Sequence, residues 1–439
     1  MKHTPKSQAK PQVSFIVYKG DGKDAKKLGK DLGPSLDSLE VQAMANGGYT
    51  IRGRFYDPNF NSYNKLIEDG YFKNARKEPM KVQAILRWSG EKNTAPKSAT
   101  KPIVGFIISL EAQQPRSSDA NMLEFVAIDP PSWYLNAGDA SGKCYTGNVG
   151  SVIEQVVKDY SPKDRLIVNV ATTIDSKQGK WWLMRQDPKT FIASLFDWSS
   201  SLTEDKTQWI FSPQNYELTI KPQGKLSSES RAYYSFQQNK STDPIIKVEM
   251  LSDNALSAVQ TKLITHGLST IAGQYLDSIT AQPAVEILDS NTTTKRIASV
   301  KSGRAFDKPP KGDPPNVGYT SIMSIPEIGS AGDIGLPYKD YIDGRARAMY
   351  LNMVNALMRA KVTVIGDGTW DGCNGLGIDT IFLDWRAANK ANKSGNSGIN
   401  HWYSGKWLVY GFYHHITQKT WTTDVYCARY DHDSDAVKV

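Results

Sequence analysis

Short apolar runs, bounded by Gly, Pro, Asn and Asp, dominate the first 135 positions of this 439-residue chain. "VSFIVYKG", "GGYTIRGRFYD", "MKVQAILRWSG", "KPIVGFIISLEAQQ" and "NMLEFVAIDPPSWYL" each read as strands of an antiparallel barrel or sandwich. In "YTIRGRFYD" the two-residue period puts Ile51 and Phe55 on one face and Arg52 and Arg54 on the other. The period then changes. "GSVIEQVVKDYSP" aligns Val152, Ile153, Val156, Val157 and Tyr160 as a helical stripe, with Ser151 as N-cap and Pro162 as the stop. "QDPKTFIASLFDWSSSL" repeats the device, with Asp187 as cap, Pro188 in the first turn and Phe191, Ile192, Leu195 and Phe196 as the stripe. Between them "RLIVNVAT" and "KWWLMRQ" read as strands.

Strand patterns return in "TQWIFSPQNYELTIKPQ", with a turn at Pro213 to Asn215, and in "DPIIKVEMLSD". "NALSAVQTKLITHGL" is ambiguous between helix and strand. "KPPKGDPPN", Lys308 to Asn316, reads as a linker or long loop. "DYIDGRARAMYLNMVNALMRAK" carries Tyr341, Met349, Tyr350, Met353, Val354, Leu357 and Met358 at helical spacing; such a stripe is ordinary core more often than an adaptable binding face. Four strands close the chain, within "KVTVIGDG", "GIDTIFLDW", "GKWLVYGFYHHIT" and "TWTTDVYCARYD", with a polar loop at Ala387 to His401. No tandem repeat is visible. There is only a coarse recurrence, β-rich stretches at both ends around helical material.

Charge changes this picture at one place. The net charge is +8, but residues 1–30 hold eight Lys against two Asp, leaving +2 for the other 409 residues. The basic character therefore belongs to an N-terminal arm rather than to a folded groove, and a solvated arm and a polyanion contact both fit it. Cys144, Cys373 and Cys427 stand far apart, without metal-ligand spacing or a disulfide framework. The N-terminus has no apolar secretory segment, and the longest apolar run, "IVGFIISL", falls far short of the ~20 residues a span needs. The reading expects a protein made in a cytoplasm, without a membrane anchor.

Candidate chemistry is sparse. Strand alternation places Leu408, Tyr410, Phe412, His414 and Ile416 on one face, and Trp407, Val409, Gly411, Tyr413 and His415 on the other. The adjacent histidines point apart and do not ligate one metal together. Structural or interface use outweighs chemistry, although Asp424 or Asp431 can approach across the hairpin. Both faces are apolar, so the hairpin is expected to be covered on both sides, by barrel interior and by a neighbouring domain or subunit. Trp407, Val409, Tyr410, Phe412, Tyr413, His414, His415 and Trp421 are the candidate interface residues. "GDGTWDGCNGLG", Gly366 to Gly377, looks like a phosphate cradle but lacks GxxxxGK[ST] and leads into a strand, so a tight barrel corner fits better. Asp129, Asp197, Glu327 and Asp384 form no evident pair, and Trp133, Trp181 and Trp182 are weak candidates for sugar stacking. No catalytic, cofactor or metal residue is assigned.

The closing segment resembles that of phage baseplate hub proteins, the family of contractile-tail hubs and related late-control and type VI spike proteins. The resemblance runs from "LMRAKVTVIGDG" through "GKWLVYGFYHHIT" to "WTTDVYCARYD". It rests on Gly366, Asp367, Gly405, Trp407, Val409, Gly411, His414, Ile416, Trp421, Thr423, Val425 and Arg429. Where the family has "PGxxV", this chain has "WDGCNGLGIDTIFLDW". The resemblance implies a mainly β protein with two tube-like antiparallel β-barrel domains and a small α/β insert. The expected boundaries are a flexible basic arm at 1–12 and a first barrel at 13–144. An insert at 145–232 follows, which can return strands to that barrel, then a β-rich connecting part at 233–340, and a helix plus second barrel at 341–439.

It further implies a homotrimer whose six barrels adapt a six-fold tail tube to a three-fold central spike within the virion baseplate. Tail tube or tape-measure-end proteins, the spike, and baseplate wedge or sheath-initiator proteins are the implied partners, with DNA only in transit. The near-neutral body agrees with a channel that does not grip phosphates. A tail-associated cell-wall hydrolase and a carbohydrate-binding β module are the alternatives.

Overall fold

The structure is a computed structural model and describes residues 10–20, 25–71, 79–89, 99–114, 121–136, 142–161, 166–170, 179–183, 186–199, 209–222, 230–237, 245–251, 271–276, 283–288, 320–323, 359–391, 397–399 and 404–429. The segments read as a helical stripe at Tyr341–Met358, as the Pro-rich loop and as the ambiguous stretch 254–268 lie outside these residues, as do Glu327 and Asp431.

The first part of the chain folds as strands β1 (Pro11–Lys19), β2 (Lys26–Leu28), β3 (Leu36–Met44), β4 (Gly48–Tyr56), β5 (Lys81–Trp88), β6 (Ile103–Gln113) and β7 (Met122–Ile128), with helix α1 (Asn61–Glu68) after β4. Apolar side chains alternate inward along β4 and β5, as the two-residue period requires. The sequence reading extends the last strand through "PPSWYL". The structure instead starts helix α2 (Pro130–Asn136) there, because Asp129 Oδ1 accepts the Ser132 N–H (2.7 Å) and two prolines occupy the first turn.

The middle of the chain holds β8 (Lys143–Gly147), α3 (Val149–Tyr160), β9 (Ile167–Val170), β10 (Gly179–Leu183), α4 (Pro188–Ser199), β11 (Trp209–Gln214) and β12 (Glu217–Pro222). The stripes of α3 and α4 close a second hydrophobic cluster with Tyr145, Trp181, Phe211, Leu218 and Ile220. Asp187 caps α4 through the Thr190 N–H (2.8 Å). The cap of α3 is Asn148, not Ser151: its Oδ1 accepts the Ser151 N–H (2.8 Å). Asn148→Ala is expected to lower stability by about 1 kcal/mol in urea unfolding, and Ser151→Ala by clearly less.

The last part contributes β13 (Ala232–Gln237), β14 (Ile245–Leu251), β15 (Ile271–Leu276), β16 (Pro283–Leu288), β17 (Thr320–Met323), β18 (Arg359–Ile365), β19 (Thr380–Ala391), β20 (Ser397–Ile399), β21 (Gly405–Thr417) and β22 (Trp421–Arg429). The span expected to be a polar loop from Ala387 is thus strand up to Ala391, with β20 paired back on it. Among the described residues the extension is held by β20 alone, through Arg386 opposite Ile399 and Ala391 opposite Ser397. β18 begins at Arg359, inside the segment read as helical.

One 14-stranded sheet unites the two ends of the chain in the order β14-β18-β22-β21-β3-β4-β7-β6-β5-β1-β2, with β13, β19 and β20 attached through β21. Its apolar side forms one continuous cluster, from Phe15, Phe55 and Phe125 to Trp370, Trp407, Phe412 and Trp421. The fold is mainly β; of the described helices, α2, α3 and α4 pack together at the middle segment, whereas α1 follows β4.

The halves of this sheet repeat each other in register. β3-β4-β7-β6 and β14-β18-β22-β21 share strand order, chain order and direction. Both first strands bulge at their second residue, Asp37 and Ile246. Both fourth strands bulge at their sixth, Ile108 and Tyr410. Glu40 faces Arg52 as Glu249 faces Lys361. Arg52 also lies 3.8 Å from Glu124, and Lys361 lies 4.0 Å from Asp424 at the equivalent place.

Candidate interface on the closing hairpin

β21 changes partner halfway along one edge. Residues 405–408 pair with β19, residues 411–417 pair with β3, and the bulge at Tyr410 lies between. Gly411 stands where β3 comes closest: a Cβ there would lie 2.3 Å from Met44 Sδ and 3.0 Å from Ala43 O. This is the close approach that the glycine signals in the sequence.

The bulge also corrects the facing of the side chains. Strict alternation opposes Trp407 and Val409 to Phe412 and His414. The extra residue returns both to the core side, so Trp407, Val409, Phe412 and Ile416 share one hydrophobic cluster. Trp407, Val409, Phe412, His414 and Trp421 are buried within their own chain. Of the eight candidate interface residues, Tyr410, Tyr413 and His415 remain half-exposed, on the other face. The ribbon is therefore covered on one side by the chain itself.

His414 is fully buried and every ring nitrogen is engaged. Nε2 lies 2.6 Å from the Trp370 carbonyl oxygen, which only accepts, so Nε2 carries the proton. Nδ1 then accepts from the Thr423 hydroxyl (2.8 Å) and from the Trp421 indole N–H (3.3 Å). Thr423 Oγ1 in turn accepts the Asp367 N–H (3.1 Å). Burial lowers the His414 pKa to about 4, against smaller opposing effects of the Trp370 hydrogen bond and the Asp367 charge. The imidazole is neutral in most of the pH range and ties the hairpin to the loop that follows β18.

That loop is the glycine-rich Gly366–Gly377. Trp370 is buried at its centre, under the Arg231 guanidinium, whose carbon lies 5.0 Å from the ring centroid. Arg231 also donates to the carbonyls of Asn374 (2.6 Å) and Thr369 (2.8 Å), and pairs with Asp379 (2.8 Å). Gly375 and Gly377 take positive φ, +87° and +79°, before β19 begins. The arrangement is a pinned corner that feeds a strand rather than a helix, as its sequence implies. Its second anchor is the middle segment: Ser212 Oγ donates to the Cys373 carbonyl (2.8 Å) and Gln214 Nε2 to that of Asp371 (3.2 Å).

The half-exposed face is aromatic with paired charges. Tyr410 and Tyr426 have centroids 6.3 Å apart, and the Arg359 guanidinium lies 5.6 Å from the Tyr410 ring. His415 Nδ1 is 3.8 Å from Glu40 Oε1. Burial pushes Tyr410 up to about 12, and burial followed by the Glu40 hydrogen bond and charge raises Tyr413 further. Asp424, which the hairpin brings near, pairs with Thr363 and Lys361 instead of with an imidazole.

The acidic and aromatic candidates stay dispersed. Asp129 is buried with Oδ2 accepting the Tyr49 N–H (3.0 Å), and burial raises its pKa despite these donors and Lys189. Asp384 accepts the Tyr233 hydroxyl (2.9 Å). Trp181 is core of the second cluster, its N–H on the Gly147 carbonyl (3.1 Å), and so is not the exposed ring the sequence offered. Trp133 packs edge-on against Phe106 (5.5 Å). The side chains of Asp197 and Trp182 lie outside the described residues. Among the described residues no group of three metal-ligating side chains occurs, and no helix is long and apolar enough to cross a membrane.

No protein-family model and no curated protein sequence matches the chain. Solved structures do. A tail protein from Neisseria meningitidis MC58 aligns with TM-score 0.53 at 10% identity, over 96% of this chain and 99% of its own. The 43 kDa tail protein of prophage MuSo2 from Shewanella oneidensis aligns with TM-score 0.51 at 10% identity, over 96% and 99%. A chain of the half-lidded Francisella PdpA-VgrG complex aligns with TM-score 0.51 at 8% identity, over 96% of this chain and 59% of its own. Over nearly its whole length, the chain has the fold of these tail and VgrG-complex proteins.

Proposed function

We propose that the chain is a non-catalytic hub of a phage tail baseplate, or of a phage-like injection device, and that it works as a homotrimeric ring. The observation that carries this reading is the in-register repeat of one four-stranded unit at two adjacent places in the main sheet. Two equivalent units per chain give three chains six equivalent units, which suits an adaptor between a six-fold tube and a three-fold spike. The fold shared with tail proteins over almost all of both chains supports the same reading.

In this reading the arm is 1–12, the first tube-like barrel 13–144, the insert 145–232, the connecting part 233–340, and the helix with the closing barrel 341–439. Tail tube or tape-measure-end proteins, the central spike, and wedge or sheath-initiator proteins are the partners, and the virion tail is the location. Tyr410, Tyr413 and His415 make the partner contact of the closing hairpin, while Trp407, Val409, Phe412, His414 and Trp421 hold that face in place. The charges on that same face are matched, Arg52 by Glu124 and Lys361 by Glu249 and Asp424, so a partner that covers it meets few unpaired cations.

Light scattering after size exclusion should give three times the chain mass, and electron micrographs should show rings of six lobes. A monomer at every concentration, also when co-expressed with the neighbouring tail proteins, refutes the proposal.

A further inference from the structure

The middle segment is fastened to the first four-stranded unit through a buried polar knot. Asp129, just past β7, is buried at its centre. Its Oδ2 accepts the Tyr49 N–H (3.0 Å) and its Oδ1 the Ser132 N–H (2.7 Å). The Ser132 hydroxyl donates to the same carboxylate. From the middle segment, Lys189 at the start of α4 donates to Ser132 Oγ (3.1 Å) and to the Gly47 carbonyl (2.9 Å). The bonds thus run in one direction, ammonium to hydroxyl and hydroxyl to carboxylate. Lys189 Nζ also lies over the Phe211 ring, 5.4 Å from its centroid, and the Phe211 N–H donates to Asn46 Oδ1 (2.7 Å) in the turn between β3 and β4.

Among the described residues, the ionisable groups that face Asp129 are Lys189 from α4, Tyr49 from β4 and Cys373 from the glycine-rich corner. Burial pushes the Tyr49 hydroxyl and the Cys373 thiol well above their usual ranges, so both stay neutral. On α2 the ionisable side chain is Tyr134, whose ring packs edge-on against Phe106 (5.6 Å). Asp129 and Lys189 therefore hold the charges of the knot. Three donors converge on the carboxylate, and a proton would turn one of its oxygens into a donor facing them.

We propose that Asp129, Ser132 and Lys189 form an acid-released latch, which fastens α4 to the first unit at neutral pH and frees it when Asp129 takes up a proton. The sign depends on where Asp129 stays. Its backbone donors, Tyr49 and Ser132, both lie on its own side of the latch, and Gly48 packs against it: a Cβ there would lie 2.3 Å from Oδ2. Asp129 thus remains buried when α4 leaves. Burial raises its pKa against the opposing effects of these donors and of Lys189. Departure of Lys189 removes one opposing effect, so the pKa is higher with the latch open than closed. Proton uptake then favours the open form, and it begins in milder acid than for an ordinary carboxylate. The latch does not depend on the assembly proposed above.

Hydrogen exchange of the full chain, read by mass spectrometry and corrected for the pH dependence of exchange itself, tests the latch. The readout is the protection of residues 189–193 in the first turns of α4. At pH 7, Asp129→Asn should lower it about tenfold relative to wild type, as expected for losing one charge-assisted hydrogen bond. The amide places a donor where the protonated carboxyl would, so the variant stands for the acid form. At pH 4.5 wild type and variant should coincide, because the wild type has opened. Lys189→Met should give the same pattern, and it carries the test if Asp129→Asn does not fold. Equal protection of wild type and Lys189→Met at pH 7 overturns the fastening. A gap that persists at pH 4.5 shows that the contact does not need the charge and overturns the release. Wild-type protection that rises in acid shows that opening wets Asp129, and overturns the release as well.

Discussion

Gly366→Ala is expected to destabilise the protein by about 3–5 kcal/mol, a very large effect for a single methyl group. An added Cβ would lie 2.1 Å from Trp421 Cδ2 and 2.2 Å from its Cγ, inside the indole itself. Trp421 has nowhere to move. Its ring stacks on Trp88 at 5.4 Å, it is buried, and its N–H is held by His414. Gly366 is fixed as well: its N–H donates to the Trp421 carbonyl (2.9 Å), and its carbonyl accepts the Trp88 indole N–H (3.0 Å). The cost is therefore that of displacing a packed tryptophan, which is comparable to deleting it. Urea unfolding of the single and double variants checks the cause. In a Trp421→Ala background, Gly366→Ala should cost less than about 1 kcal/mol, because the clash is gone. An equal cost in both backgrounds would assign the effect to the backbone instead.

His414→Leu is expected to cost about 3 kcal/mol at pH 7, and the loss should shrink in acid. The leucine leaves the Trp370 carbonyl and the Trp421 N–H buried without their partner, each worth about 1–3 kcal/mol. The pH dependence follows from the pKa, about 4 in the folded chain against an ordinary 6.5. The unfolded chain binds the proton more readily, so the stabilisation is complete above pH 6.5 and is lost as pH falls toward 4. At pH 4.5 about 2–3 kcal/mol of the wild-type advantage should be gone. The measurement is the gap between wild type and variant in urea at pH 7 and pH 4.5. Taking the difference cancels the carboxylates that titrate in both. A gap that does not narrow would mean that His414 is charged when folded, and would remove the neutral ring from the account.

Much of the local structure was legible because it depends on near neighbours. The strands around Phe15, Ile51, Leu86 and Phe125 declare themselves by alternation, and α3 and α4 by their stripes. The cap of α4 was readable because Asp187 directly precedes Pro188 at the helix start. That of α3 is not, because Asn148 and Ser151 are both good caps, and only geometry shows which oxygen meets an amide. β3 is faint in the sequence although Leu39, Val41 and Ala43 alternate, since Asp37, Ser38 and Glu40 dilute the signal. "PPSWYL" continues the strand pattern before it, and only the capping contact from Asp129 makes it helix α2.

The candidate site shows the same division. That the closing hairpin is a strand pair with diverging histidines followed from its sequence. Which residues face the core did not, because the bulge at Tyr410 changes the phase and has no marker beyond Gly411. The repeat was invisible for a simpler reason. Across the equivalent positions of its four strands a single residue is identical, Glu40 with Glu249. Register, bulges and cross-strand charges are retained where the side chains are not, since they are set by backbone pairing.

By itself, the amino-acid order determined a β-rich chain with a small α/β insert, a nearly neutral body behind a basic arm, and a turn-forming glycine loop before the last hairpin. Each follows from periodicity, charge or turn chemistry acting over a few residues. Only the tertiary structure decided that β21 joins β3, that His414 is a neutral strut between hairpin and loop, and that two halves of one sheet are copies of a single unit. The seam and the repeat join segments hundreds of residues apart, and the strut needs the Trp370 carbonyl 44 residues away; backbone hydrogen bonding between distant strands carries no residue code that a linear reading can detect.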